Sequence, residues 1–107
     1  MTDLVKFPDA MRPVWTSGPT TIAASGGTFL SGPTWGSFDG ALVIAALAGT
    51  QLRLLHLDAA GGLVADRLLL DVPDRLRTPV LAPDGSLWVT TSNGGGTDRI
   101  VRLAPTL

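Results

Sequence analysis

Two guanidinium groups stand two residues apart at Arg75 and Arg77, within Asp74-Arg75-Leu76-Arg77-Thr78-Pro79-Val80-Leu81. The run reads as the start of a β-strand, where alternate side chains leave the same face, so both cations point one way. A guanidinium presents a planar fork of donors and keeps its charge near neutrality, so a parallel pair suits carboxylates or phosphates. The chemistry on offer is the holding of an anion, with no proton transfer. Asp71 and Asp74 are close in sequence, and pairing with them would leave ordinary surface ion pairs that contribute about 0 to 1 kcal/mol each. Downstream, Pro83-Asp84-Gly85 combines a preset φ, an aspartate able to bond its own backbone and a glycine suited to positive φ. That triplet predicts a reversal into Leu87-Trp88-Val89.

Other chemistry-bearing residues read as structural. His56 is the single histidine, and its setting in Leu54-Leu55-His56-Leu57 is that of a strand residue, not of a general base. Gly94-Gly95-Gly96 lacks the Lys-Ser/Thr ending and following helix of a phosphate loop, which leaves a hairpin loop. Asp39, Asp58, Asp84 and Asp98 each occupy a turn without the alternating acidic spacing of a calcium loop, so no metal site is expected. Trp88, in an apolar strand, is expected in the core. Trp15 and Trp35 lean the same way, with stacking on a sugar as the competing use.

Composition limits what can position these groups. A chain of 107 residues makes one small domain, and 45% hydrophobic against 16% charged residues argues for sheets buried on both sides. Eight basic and nine acidic residues leave a net charge of -1, which gives no electrostatic footprint for nucleic acid or an anionic membrane. No apolar run reaches membrane-spanning length, and no basic segment precedes an apolar run as in a signal peptide. Without cysteine there is no disulfide, thiolate nucleophile or cysteine-bearing zinc site. Glutamate is absent, and thirteen glycines and eight prolines favour turns over helix interiors, so the expectation is all-β.

Residues 1–20 read as an irregular arm rich in Pro, Asp, Thr and Gly. A short β segment at 28–31 and a loop at 32–40 follow. Residues 41–47 and 50–57 read as an antiparallel pair across Ala48-Gly49, and 63–70 as a fourth strand of the same sheet. The segment 41–47 is apolar on both faces, which predicts cover on both sides. After Arg75 the pattern restarts with strands at 76–81, 86–91 and 99–103. Two successive meanders with a period of about 40 residues are what radial stacking of propeller blades produces. The expected architecture is a partial β-propeller of about one and three-quarter four-stranded antiparallel blades, occupying 21–107 as a single unit of a larger domain.

Several stretches, in order, resemble one family. Thr21-Ile22-Ala23-Ala24-Ser25-Gly26 resembles a Thr-Ile-Ala-Pro-Ser-Gly lead-in, Gly40 to Leu47 resembles a Gly-x-Leu strand, and Leu52 to Asp58 resembles a Leu-x-Arg-Leu-x-Leu-Asp strand. Arg75-Leu76-Arg77 followed by Pro83-Asp84-Gly85-Ser86-Leu87-Trp88-Val89 is similar to an Arg-x-Arg and Pro-Asp-Gly-x-Leu-aromatic-Val pairing. The family is that of the soluble quinoprotein sugar dehydrogenases, or glucose/sorbosone dehydrogenase-like proteins. The resemblance runs from about Pro13 to Leu103 and implies the C-terminal blades of a six-bladed propeller.

The resemblance further implies a pyrroloquinoline quinone (PQQ) cofactor near the propeller axis that takes a hydride from C1 of an aldose before passing electrons to an acceptor. Residue by residue, the arginines that bind cofactor carboxylates fall on Arg75 and Arg77, and the cofactor-facing threonine falls on Thr21. Three positions depart from the pattern: Ala48 replaces a lysine, Thr78 an aspartate and Ala24 a proline, and the missing lysine removes a cation from the presumed carboxylate cluster. The family's catalytic histidine and calcium ligands belong to earlier blades. The chain is therefore expected to contribute cofactor contacts, no catalytic residue and no metal ligand, and to be inactive alone. The rival reading is a non-catalytic interaction module that self-associates or pairs with missing blades through open sheet edges. Relatives are commonly periplasmic or secreted, and the sequence leaves the compartment open.

Overall fold

The computed structural model describes residues 3, 5–71 and 73–105, with the side chains of Leu70 and Asp71 also left undescribed. The elements are β1 (Ala24–Phe29), a 3-10 helix (Pro33–Phe38), β2 (Leu42–Ala46), β3 (Gln51–Leu57), β4 (Leu63–Asp71), β5 (Leu76–Leu81), β6 (Leu87–Thr91) and β7 (Ile100–Leu103). They form two antiparallel sheets, one in the order β1-β2-β3-β4 and one in the order β5-β6-β7. Among the described residues, the arm before β1 contains neither strand nor helix.

Two elements differ from the sequence expectation. β1 begins at Ala24, four residues before the expected segment, because Gly26 and Gly27 pair with Ala45 and Ile44. Glycine has low strand propensity, and here the ladder overrides it. Within the expected loop, Pro33–Phe38 winds into a 3-10 turn, with proline at its start where the missing N–H costs nothing.

The core lies between the sheets. Val43, Ala45, Leu52 and Leu54 from the first sheet meet Leu76, Leu87 and Val89 from the second, all fully buried, with Leu30, Trp35 and Ala41 completing the cluster. Each such leucine contributes about 1.5 to 3 kcal/mol by leaving water. Register assigns the faces: Val43 opposes Leu54 and Ala45 opposes Leu52 on the core side, while Leu42 opposite Leu55 and Ile44 opposite Arg53 turn outward. Leu42 and Ile44 are half-buried, while Ala46 and Leu55 on that same face are buried, so the apolar character of β2 on both faces corresponds to one face in the core and one covered unevenly. Phe29 and Leu68 are exposed on that same outer face.

The second sheet has a matching outer face. Val80, Trp88 and Ile100 lie exposed on it. Trp88, expected in the core, is 38% exposed. In the run Leu87-Trp88-Val89 strict alternation sends the two smaller side chains inward and the indole out. There its Nε1 donates to the Ser86 hydroxyl at 2.8 Å, and the Arg102 guanidinium sits 5.9 Å from the ring centre. Trp35 is the buried indole, and its Nε1 donates to the Gly85 carbonyl at 2.7 Å, tying the 3-10 turn of the first unit to the reversal of the second.

Candidate anion-binding site

Arg75 and Arg77 flank Leu76, whose side chain is fully buried, and both are exposed. Period-two alternation about an inward Leu76 sends both guanidiniums away from the core. The ladder is irregular at this point: Leu76 opposes Thr91 and Pro79 opposes Val89, so Arg77 and Thr78 together face Thr90. This is a bulge, which raises local twist and re-aims side chains. The Thr78 N–H is satisfied by the Thr90 hydroxyl at 3.2 Å.

The two arginines are anchored from different sides. The N–H of Arg75 donates to Asn93 Oδ1 at 2.8 Å, and its carbonyl accepts from Ser92 N–H at 2.8 Å, both from the loop after β6. The Arg77 carbonyl instead faces the first sheet. Ser25 Oγ lies 2.8 Å from it, 2.9 Å from the Leu76 carbonyl and 3.1 Å from the Ala45 carbonyl, so one hydroxyl proton serves three acceptors in turn. Beside it, a Cβ on Gly26 would stand 2.8 Å from the Arg77 oxygen and 3.1 Å from Pro79 Cδ. Only glycine allows β1 this close to β5.

The acid expected to neutralise the pair does something else. Asp74 is 8% exposed, and its carboxylate is held by Arg99 and by Asn93 Nδ2. Its pKa is lowered by the Arg99 hydrogen bond first and the Asn93 bond second. Asp74 therefore does not pair with Arg75 or Arg77, and the other acid of that reading, Asp71, has a side chain outside the described residues. Among the described residues no carboxylate lies within ion-pairing distance of either arginine. Two solvent-facing guanidiniums with no carboxylate partner among the described residues have the chemistry to hold a carboxylated ligand.

Two further described carboxylates, Asp98 and Asp84, support loops. Asp98 accepts from Asn93 N–H, Gly94 N–H and the Thr91 hydroxyl, and its pKa is lowered chiefly by the Asn93 amide. Asp84 is lowered to about 2 by the hydroxyl and the N–H of Ser86 and then by Arg102. Among the described residues no group of three or more His, Cys, Asp or Glu could hold a metal ion. His56 lies on β3 with its ring centre 6.1 Å from that of Phe38, a packing contact.

Thr21 sits elsewhere. It is exposed just before β1, its hydroxyl oxygen accepting from Ala23 N–H at 3.2 Å. Ala23 has φ +54, a left-handed conformation rare for a residue with a side chain, and its neighbours enforce it. Leu47 N–H donates to the Ala23 carbonyl and Gly49 N–H to the Ile22 carbonyl, each at 3.0 Å. Thr21 lines a surface cavity of about 690 Å³ with Trp15, Pro19 and Ile22, and neither Arg75 nor Arg77 borders it. Trp15 is fixed there by a 2.7 Å bond to Asp66, which also pairs with Arg53 at 3.1 Å. The link from Thr21 to the arginines runs along β1 through Ser25.

Sequence reasoning passes over Ser25, Gly26, Asn93 and Asp98 as site-building residues. The signal for the first two is their place in the lead-in motif. For the other two it is an Asn and an Asp bracketing a triple glycine, the composition of a side-chain-capped loop.

The glucose/sorbosone dehydrogenase family model matches residues 2–102. Two solved glucose dehydrogenases are similar at TM-score 0.73 and 28% identity, over 81% and 80% of this chain and 25% and 24% of theirs. A third, a putative oxidoreductase (glucose dehydrogenase) from Thermus thermophilus, is similar at TM-score 0.73 and 29% identity, over 91% of this chain and 29% of its own. The chain thus spans roughly a quarter of the length of these solved proteins. No curated protein matches it. With nearly all of its residues inside the family match, the chain belongs to the glucose/sorbosone dehydrogenase family.

Proposed function

We propose that this chain forms the carboxylate-binding part of a PQQ site in a sugar dehydrogenase, with its two sheets as successive propeller blades. The observation that carries the reading is the pair Arg75 and Arg77, solvent-facing about a buried Leu76 and without a described carboxylate partner. In this reading each arginine donates charge-assisted bonds to a cofactor carboxylate, bonds roughly twice as strong as neutral ones. Thr21, on the separate cavity before β1, would add a hydroxyl donor, since its oxygen already accepts from Ala23 and its proton has no acceptor among the described residues. Bound PQQ would supply the hydride acceptor for C1 of an aldose. This chain's own residues would bind and orient it, while the general base and calcium ligands come from other parts of the domain.

Titration of the 107-residue chain with PQQ, read by tryptophan quenching, tests the reading. Binding that weakens at least about tenfold in Arg75→Ala and in Arg77→Ala supports it, a loss on the scale of one charge-assisted contact. Binding indifferent to both substitutions overturns it. With PQQ, calcium and glucose together, the chain alone is expected to show no turnover.

A second reading has its own observation. Phe29 and Leu68 on one outer face, and Val80, Trp88 and Ile100 on the other, present apolar surface on both sides of the two-sheet stack. Because the similar solved proteins are about four times as long, the occupant proposed for these faces is further sheets of the same domain. Self-association is the competing outcome. Sizing chromatography with light scattering distinguishes them, since concentration-dependent oligomers would favour pairing between copies, and a monomer that binds separately made blades would favour the first.

A further inference from the structure

We infer that Asn93 is a positioning residue for Arg75, a role that rests on the anion-binding reading and deepens it. The Asn93 side chain spans the peptide that carries the cation. Its Oδ1 accepts from Arg75 N–H at 2.8 Å, and its Nδ2 donates to Asp74 Oδ1 at 2.8 Å. The adjoining Ser92 N–H binds the Arg75 carbonyl at 2.8 Å, so both polar groups of the Arg75 backbone are held by two consecutive residues. Arg75 precedes β5 and has no ladder partner of its own, which makes this clamp the means by which it is kept in line with Arg77.

The clamp is itself braced. Asp98 accepts from Asn93 N–H, from Gly94 N–H at 3.2 Å and from the Thr91 hydroxyl at 3.0 Å, which fixes the near end of the glycine loop. Gly94, Gly95 and Gly96 all take positive φ, from +66 to +79, and without that brace the segment would sample many conformations. Asp74, held at the far side by Arg99, gives the Asn93 amide a fixed target. The loop thus transmits its order to one guanidinium without touching the anion. Arg77 depends on a different support, the Ser25 hydroxyl of β1.

Amide hydrogen exchange and PQQ titration of the full chain test this together. In Asn93→Ala, protection at the Arg75 amide should fall by at least about tenfold while the β2 and β3 amides keep theirs, and PQQ affinity should fall about tenfold. In an Arg75→Ala background the same substitution should change affinity by less than about twofold, because it acts through Arg75. Equal loss in both backgrounds, or unchanged protection at Arg75, overturns the inference. If Asn93→Ala fails to fold, Asp98→Asn loosens the brace more gently and should move both readouts the same way; no movement in either overturns the proposal. Should the unaltered chain bind no PQQ, the cofactor reading fails, and exchange at the Arg75 amide still decides whether Asn93 holds that peptide.

Discussion

The two sheets share a core yet are secured by different chemistry. In the first, the buried residues on the strands are all apolar: Val43, Ala45, Ala46, Leu52, Leu54 and Leu55. In the second, the buried apolar set shrinks to Leu76, Pro79, Leu87 and Val89, and the buried polar residues among those described, Asp74, Ser86 and Thr91, all lie in or beside it. Three strands bury fewer apolar residues than four, and in the second sheet the carboxylates of Asp74, Asp84 and Asp98 tie loops in place. The candidate arginines sit on the polar half. Side-chain hydrogen bonds are directional where apolar packing is not, so the half that carries the arginine pair is also the half whose loops are fixed in direction.

The sharpest break of this comparison is in the shared core. Leu54→Ala should cost about 2 to 5 kcal/mol in denaturant unfolding, with both sheets losing structure together. A loss confined to the first sheet would mean that the sheets fold independently. Gly26→Ala should cost about 1 to 3 kcal/mol, since the new methyl meets a backbone carbonyl that cannot turn aside, and it should also weaken PQQ binding by displacing Arg77. Ser25→Ala should cost about 0.5 to 1.5 kcal/mol, the net worth of one hydrogen bond.

Acid separates the halves further. Asp84 falls from an ordinary 3.8 to about 2 in the folded chain, and Asp74 and Asp98 are lowered as well. Groups with depressed folded pKa values stabilise fully above the unfolded value, and that contribution disappears as pH falls toward the folded one. Stability should therefore hold down to about pH 5 and decline below about pH 4, with Asp84→Asn flattening the decline and Leu54→Ala leaving its slope unchanged. The smallest effect is expected at the outer face: Ile100→Thr should stay within about 0.5 kcal/mol in urea melts, and a larger loss would mean that this face is covered in solution.

Much of the fold is legible in the sequence because it follows alternation and turn chemistry. β5 is found at the expected Leu76–Leu81, and the turns joining β2 to β3, β3 to β4 and β5 to β6 contain Gly49, Gly61 and Gly85, as the sequence leads one to expect. The start of β1 is not legible, because Ser25-Gly26-Gly27 has a loop's composition and becomes a strand only through pairing with β2. The orientation of Trp88 follows from period two, yet the apolarity of its neighbours points the other way. The arginine pair is legible from spacing, whereas its supports are not. Ser25 reaches Arg77 across 52 residues and Asn93 reaches Arg75 across 18, and neither separation leaves a local mark. The expected Asp74 pairing is wrong for the same reason, since its partner Arg99 lies 25 residues away.

β5 is an edge strand that carries both a bulge and Pro79. A proline lacks the donor that an incoming strand needs, and a bulge breaks the regular spacing of those that remain. Foreign polypeptide therefore finds a poor template along this margin, where Ser25 of β1 already takes the Leu76 and Arg77 carbonyls. A small polyanion would need no ladder, only charge and direction, so irregularities that turn away another strand are compatible with the anion-binding reading proposed above.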